Sequence, residues 1–262
     1  MCGLSRLIIY LILILILILV PKTRKVPKSV VIIPTYNESE NVEKMIHQVM
    51  NYPEQFHILI VDDGSPDGTA SIVERLQETY KERLHIEKRA GKQGLGTAYI
   101  HGFKWSLKNG YEYVFEMDCD FSHNPDDLAR LLNAIDGGKG QLSIGSRYCK
   151  GGKVSNWPFD RILMSYFASI YVRMILWIGI KDTTAGFICY HRSVLEKVKI
   201  DNIPFKGYAF QICMKYAAKK HGFKVIEVPI TFVDRLYGES KMSSGIFKEA
   251  FFGVWSMLRM KL

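Results

Sequence analysis

The chain has 262 residues, 48% hydrophobic and 23% charged, with a formal net charge of +9. That length suits one large α/β domain or two small ones, and the composition excludes both a disordered chain and a polytopic membrane protein. A basic balance points to nucleic acid, an anionic membrane surface or a phosphorylated substrate, and the first is set aside because no helix-turn-helix, zinc-finger or RNA-binding aromatic signature appears.

Leu7 to Val20 is an unbroken apolar run. As a helix it spans about 21 Å, short of a ~30 Å hydrocarbon core. No small-residue cleavage site follows, which argues against a removed signal peptide. Lys22, Arg24, Lys25 and Lys28 follow the run while only Arg6 precedes it, so an inserted segment leaves the rest of the chain in the cytoplasm. Residues 1–28 read as an apolar segment with a basic linker, either a membrane anchor or an extension outside the fold.

Ser29 to Pro34 then reads as a buried strand, with Val30–Ile33 running together up to a proline. A helix is expected from Asn37 to Met50, a second buried strand over Phe56–Val61, and a helix from Ala70 to Tyr80 after the turn-rich Asp62–Thr69. Leu84–Glu87 is a short strand. The glycine-rich stretch Gly91–Gly96 leads into a helix to Lys108, and Tyr113–Met117 is a strand ending at Asp118–Cys119–Asp120. A helix over Pro125–Ile135 and a strand over Gln141–Ser146 follow. Strand and helix alternating at this spacing predict parallel strands in a doubly wound sheet, whose ligands sit at the carboxyl ends of the strands.

Ser165–Ile180 reads as an apolar helix lying on the core or on a membrane. Val194–Val198 and Phe210–His221 read as helices and Val225–Phe232 as a late strand. Residues 246–262 alternate bulky apolars with Lys248, Arg259 and Lys261, a pattern that fits either a membrane-interfacial helix or one packed on the domain. The five cysteines form no C-x-x-C pair, which argues against a disulfide framework or a structural zinc site and fits a reducing compartment.

Two acidic clusters, Asp62–Asp63 and Asp118/Asp120, fall at strand ends. Two carboxylates spaced as D-x-D can share a hard cation with a diphosphate. Tyr36 and Glu38 sit on another strand-end turn, where a ring and a carboxylate can meet a base or ribose, although a plain turn and helix cap would look the same. The glycine-rich loop matches neither a phosphate-binding Walker loop nor a dinucleotide fingerprint, so a nicotinamide-dependent oxidoreductase is excluded. Arg147, Arg161, Ser165, Arg235 and Lys241 cluster in the second half, several beside glycines, and arginine forks suit phosphates.

Taken together, these segments closely resemble the family 2 glycosyltransferases, and within them the polyprenol-phosphate (dolichol-phosphate) mannosyltransferases. The resemblance runs over about residues 29–245. It is carried by Val30–Glu38, Val61–Thr69, Met117–Pro125, Gly145–Tyr148, Asp182–Phe187 and Arg235–Lys241. It implies a GT-A fold: a Rossmann-like, mostly parallel, doubly wound sheet with helices on both faces, as a catalytic domain over 29–245. It further implies that Pro34, Tyr36, Glu38, Asp62, Asp63, Gly94 and Asp118 bind the donor. Asp118, Asp120 and Ser122 should hold a divalent metal, Mg²⁺ or Mn²⁺. Arg147, Arg161, Ser165, Arg235 and Lys241 should bind the donor and acceptor phosphates, with Asp120, Arg147, Arg235 and Lys241 closest to the chemistry.

The sequence departs from the family pattern at Cys119, where alanine is usual, and in its N-terminal run. The expected partners are a nucleotide-sugar, GDP-mannose, and a polyprenyl phosphate at the cytoplasmic face of a membrane, with room for a separate membrane-anchoring subunit. The expected reaction inverts the anomeric carbon. A UDP-glucose donor, another acceptor, or a non-catalytic sugar-nucleotide-binding subunit are the alternatives.

Overall fold

The computed structural model describes residues 28–52, 56–234 and 244–262. The apolar run at 7–20 and the segment holding Arg235 and Lys241 lie outside the described residues.

Val30–Ile33 form the centre of β1 (Ser29–Thr35) and are fully buried. A run of β-branched residues covered on both faces is how a central parallel strand reads. β1 pairs in parallel with β2 (His57–Asp62) on one side and β4 (Tyr113–Glu116) on the other, and β2 pairs with β3 (Leu84–Lys88). Beyond β4 comes β7 (Ile188–His191), antiparallel both to β4 and to β5 (Leu142–Ser146), and β5 carries β8 (Val225–Pro229) in parallel at the far edge. The seven strands run in the order β3-β2-β1-β4-β7-β5-β8. The sheet is therefore mostly parallel, as expected, with one reversed strand that no sequence signal announced.

Side chains of β1 alternate between two cores. Val31 and Ile33 meet α1 (Val42–Met50), α2 (Thr69–Tyr80) and α4 (Asp127–Ile135). Val30 and Ile32 meet α3 (Leu95–Lys108), α6 (Arg192–Lys197), α7 (Tyr208–Lys220) and α8 (Ser244–Met257). Helix α3 lies close on the sheet because Gly102 has no side chain: a Cβ there would stand 2.7 Å from Ile32 Cγ2. The end of α5 (Phe159–Leu176) joins the second core through Val172 and Leu176.

Three boundaries differ from expectation. Helix α1 starts at Val42 rather than Asn37, because Asn37 takes a left-handed φ of 54° and the chain turns before it coils. Helix α5 starts at Phe159, directly after Pro158, and stops at Leu176, where Trp177 caps it in the left-handed region (φ 52°). The late strand is two strands. Pro229 cannot donate to the ladder, so β8 ends there, and the chain reforms as β9 (Thr231–Val233) beside β6 (Lys153–Ser155) in a separate two-stranded sheet.

β1 leads to β2 on one side while β4 lies on the other, so the carboxyl ends of β1 and β4 flank a topological switch point. A crevice opens there.

Candidate active site

The residues after β1 and β4 form the floor of a cleft of about 410 Å³. Asp118, Asp120 and Ser122 line it together. The turn that presents them is internally braced. The Asp118 N–H donates to His123 Nδ1 (3.2 Å), the Ser122 N–H to Asp120 Oδ1 (3.1 Å), and Tyr99 Oη to Asp118 Oδ1 (3.4 Å). Phe121, between the last acid and Ser122, has a φ of 60°. A bulky residue in the left-handed region is strained, and the surrounding contacts hold it there.

His123 is buried, stacked on Phe187 and edge-on to Phe232. Burial, against the pull of Asp120, lowers its pKa to about 4. The neutral ring accepts the Asp118 N–H and so belongs to the frame of the acidic turn. Two carboxylates and the buried Ser122 hydroxyl, which has no hydrogen-bond partner among the described residues, suit a hard cation.

Pro34, Tyr36, Glu38, Asp63 and Gly94 border the same cleft; Asp62 does not. The Asp62 carboxylate points inward and accepts from Thr35 Oγ1 (3.0 Å), Ser65 Oγ (2.6 Å) and the Ser65 N–H (2.9 Å). It ties the end of β1 to the turn after β2. Asp63 is gripped by Arg89 through Nε (2.6 Å) and Nη2 (2.8 Å), and Arg89 also donates to Thr97 Oγ1 (2.9 Å). That fork anchors the glycine-rich loop over the cleft. Gly94 needs to be glycine twice over: its φ is 105°, and a Cβ would come within 2.8 Å of Lys206 Cβ. Lys92 Nζ stands 5.3 Å over the Tyr36 ring.

On the opposite wall Arg147 is 9% exposed and forks onto Asp182 (Nε–Oδ2 2.7 Å, Nη2–Oδ1 2.6 Å), which also accepts the Arg147 backbone N–H (2.9 Å). Burial disfavours both charges, yet their pairing wins: the Asp182 carboxyl is held below its ordinary range and the guanidinium above its own. Trp157, Tyr148 and Phe232 surround the guanidinium. Arg161 lies 3.9 Å over the Trp157 ring and pairs with Asp234.

Behind these arginines a second cleft of about 540 Å³ opens between α5, α7 and α8. Arg147, Trp157, Arg161, Thr184 and Tyr208 line both clefts. Ser165 borders only the second, whose other walls are mainly apolar: Met164, Phe167, Val172, Ile212, Phe251 and Phe252. The expected phosphate-binding residues thus divide between the two spaces, with Arg147 and Arg161 at the junction.

Several residues in the wall or behind it carried no sequence signal. Glu249 of α8 accepts the N–H groups of Lys206 (2.8 Å) and Gly207 (3.1 Å), capping the start of α7. Its tail had read only as alternating apolar and basic residues. Gln211 and Lys215 sit on the inner side of α7, where a polar residue in a helix normally reads as solvent-facing. Glu116 is buried beneath Asp118, where burial raises its pKa; the buried Lys215 ammonium is lowered for the same reason. Asp182 stands in a segment already singled out, but its role as the clamp of Arg147 is visible only in three dimensions.

A family model described as glycosyl transferase family 2 matches residues 30–199. Polyprenol monophosphomannose synthase of Mycolicibacterium smegmatis is 48% identical over 231 residues, covering 88% of this chain and 87% of its own. Undecaprenyl-phosphate mannosyltransferase of Micrococcus luteus is 41% identical over 239 residues, covering 88% and 97%. Among solved structures, a mannosyltransferase from Pyrobaculum calidifontis in complex with GDP-Man and Mn²⁺ superimposes with a TM-score of 0.55 at 17% identity, over 88% of this chain and 70% of its own. At that identity the likeness speaks for the fold, an α/β fold of the GT-A type.

Proposed function

The chain belongs to glycosyl transferase family 2 and is a glycosyltransferase; from that premise we propose that it moves mannose from GDP-mannose to the phosphate of a polyprenyl lipid, with inversion and with a divalent metal. The observation that carries this reading is the junction of a polar cleft holding two acids with an apolar cleft, under two arginines. An acceptor with an anionic head and a hydrocarbon tail suits that junction; a water-soluble acceptor leaves the apolar walls of the second cleft unused. The relatives named for polyprenol and undecaprenyl phosphate point the same way, and the solved relative with GDP-Man supports the donor.

In this reading Pro34, Tyr36, Glu38 and Asp63 hold the nucleoside, with the loop at Gly94 as its cover. Asp118, Asp120 and Ser122 hold the metal, which when bound neutralises the departing nucleoside diphosphate. Arg147 and Arg161 position the acceptor phosphate. That phosphate is already anionic near neutral pH, so no general base is required, and the chain's work is placement, charge compensation and exclusion of water. A single in-line displacement gives a β-linked product from an α-linked donor.

The exposed apolar side chains of α5 and α8, including Phe159, Phe167, Phe252 and Trp255, would seat the domain on a bilayer. Among the described residues no helix is long and apolar enough to cross one. The basic residues after the N-terminal run favour the cytoplasmic face.

The test is transfer of radiolabel in parallel from GDP-mannose and UDP-glucose, with Mn²⁺ or Mg²⁺, followed by assignment of the product anomer. The expected result is a β-mannosyl product from GDP-mannose alone, reduced about 100-fold or more in Asp120→Ala. Labelling from UDP-glucose alone, or a retained configuration, overturns the donor or the mechanism.

A further inference from the structure

We propose that Gln211 reads the sugar of the donor, its amide hydrogen-bonding a ring hydroxyl inside the cleft. The inference rests on the donor being a nucleotide-sugar. Gln211 is 2% exposed and lines the cleft, as do Asp118, Ala185 and Gly186. Neither its amide nitrogen nor its amide oxygen has a hydrogen-bond partner among the described residues. The Glu116 carboxyl stands beside the amide, which acts on it as a hydrogen-bonding neighbour, although Glu116 Oε2 and the amide meet no full hydrogen-bond geometry among the described residues. Glu116 Oε1 already accepts from Tyr190 Oη (3.1 Å).

The backbone around the amide is fixed. Lys215, one turn further along α7, donates to the carbonyls of Ala185 (2.6 Å) and Gln211 (3.2 Å), clamping the helix to the 182–186 loop. The side chain keeps a soft terminal torsion and can turn toward the cleft without backbone movement. Gly186 leaves that side uncovered: a Cβ there would lie 3.8 Å from Gln211 Nε2 and meet only His123 Cε1 besides.

The chemistry selects the ligand class. An amide offers both a donor and an acceptor. Phosphate oxygens would use only the donor and a cation only the oxygen, whereas a sugar hydroxyl answers to both. The sugar of a donor whose diphosphate meets Asp118 and Asp120 has to lie beside those acids, on the wall that Gln211 shares with Asp118.

The experiment compares the full chain with Gln211→Met, which keeps the length of the side chain without the amide, and Gln211→Asn, which withdraws the amide by one methylene. kcat/KM is measured for GDP-mannose and for a series of GDP-deoxymannoses, each lacking one hydroxyl, alongside the affinities for GDP-mannose and GDP. Both variants are expected to lose roughly tenfold in kcat/KM with GDP-mannose. GDP affinity should stay within twofold, and one deoxy donor should be used equally by wild type and variants. An equal loss with every donor, a parallel loss of GDP affinity, or no loss overturns the proposal. A wild-type chain that transfers no mannose counts against the donor assignment instead. In that case the variants' affinity for the sugar nucleotide relative to its free nucleotide still decides on Gln211, and an unchanged ratio sinks it.

Discussion

Arg147 and Asp182 are two charges that burial alone would forbid, and each is tolerated because the other is there. Removing one partner leaves an uncompensated charge in the wall of the cleft. Asp182→Ala should therefore destabilise the fold by roughly 3–5 kcal/mol, read from urea unfolding. It should also loosen Arg147, so any residual activity falls further than stability predicts. Far from the cleft, His57 bonds Tyr111 Oη through Nδ1 (2.8 Å). Burial, helped by His85, Arg83 and Lys28, lowers its pKa from 6.5 to about 4. The unfolded chain thus binds a proton more readily than the fold between those values, and stability falls as pH drops from 6.5 toward 4. Thermal unfolding across that range should record the loss, to which the buried His123 contributes as well, and His57→Gln should make the slope shallower without abolishing it; an unchanged slope would show that His57 takes no part.

Helix α8 joins the two spaces. Val254 and Met257 are buried against the core, while Phe251, Phe252 and Trp255 are exposed. Its Glu249 caps the loop that borders the cleft. Tyr171 of α5 bonds the Phe251 carbonyl (2.9 Å) and accepts from Trp255 Nε1 (3.0 Å), so α5 and α8 present one apolar face. Phe252→Glu and Trp255→Glu should cut co-sedimentation with anionic vesicles several-fold; Phe252→Glu should leave the unfolding temperature unchanged, because that side chain is exposed, whereas Trp255→Glu also gives up the bond to Tyr171. Binding that persists would move the membrane contact elsewhere. Of the two readings of this tail, packing on the domain is what one stripe of the helix does, and the other stripe faces out, where the membrane contact proposed above would lie. The central strands were legible because Val30–Ile33 and Ile58–Val61 are continuous apolar runs. The reversed β7 was not, since Ile188–His191 carries no mark of direction and its neighbours β4 and β5 are far apart in sequence. The acids after β4 were legible as a D-x-D at a strand end. Arg89 as the grip on Asp63, and Asp62 as a brace rather than a cleft wall, depend on which way adjacent side chains point after the last ladder bond. Spacing alone does not encode that.

At the scale of the molecule, the sheet brings the ends of β1, β2 and β4 to one crevice, and the helices of the second core open an apolar space beside it. One space suits a nucleotide-sugar and its metal, the other a hydrocarbon chain, and the arginines stand where the two meet. The central claim is that the attacking group is a lipid phosphate. The most direct test offers GDP-[¹⁴C]mannose and Mn²⁺ to the full chain with vesicles carrying either polyprenyl phosphate or the dephosphorylated polyprenol. The account predicts organic-extractable mannose with the phosphate and none with the alcohol. Equal labelling of the alcohol, or label recovered only on a water-soluble acceptor, would contradict it.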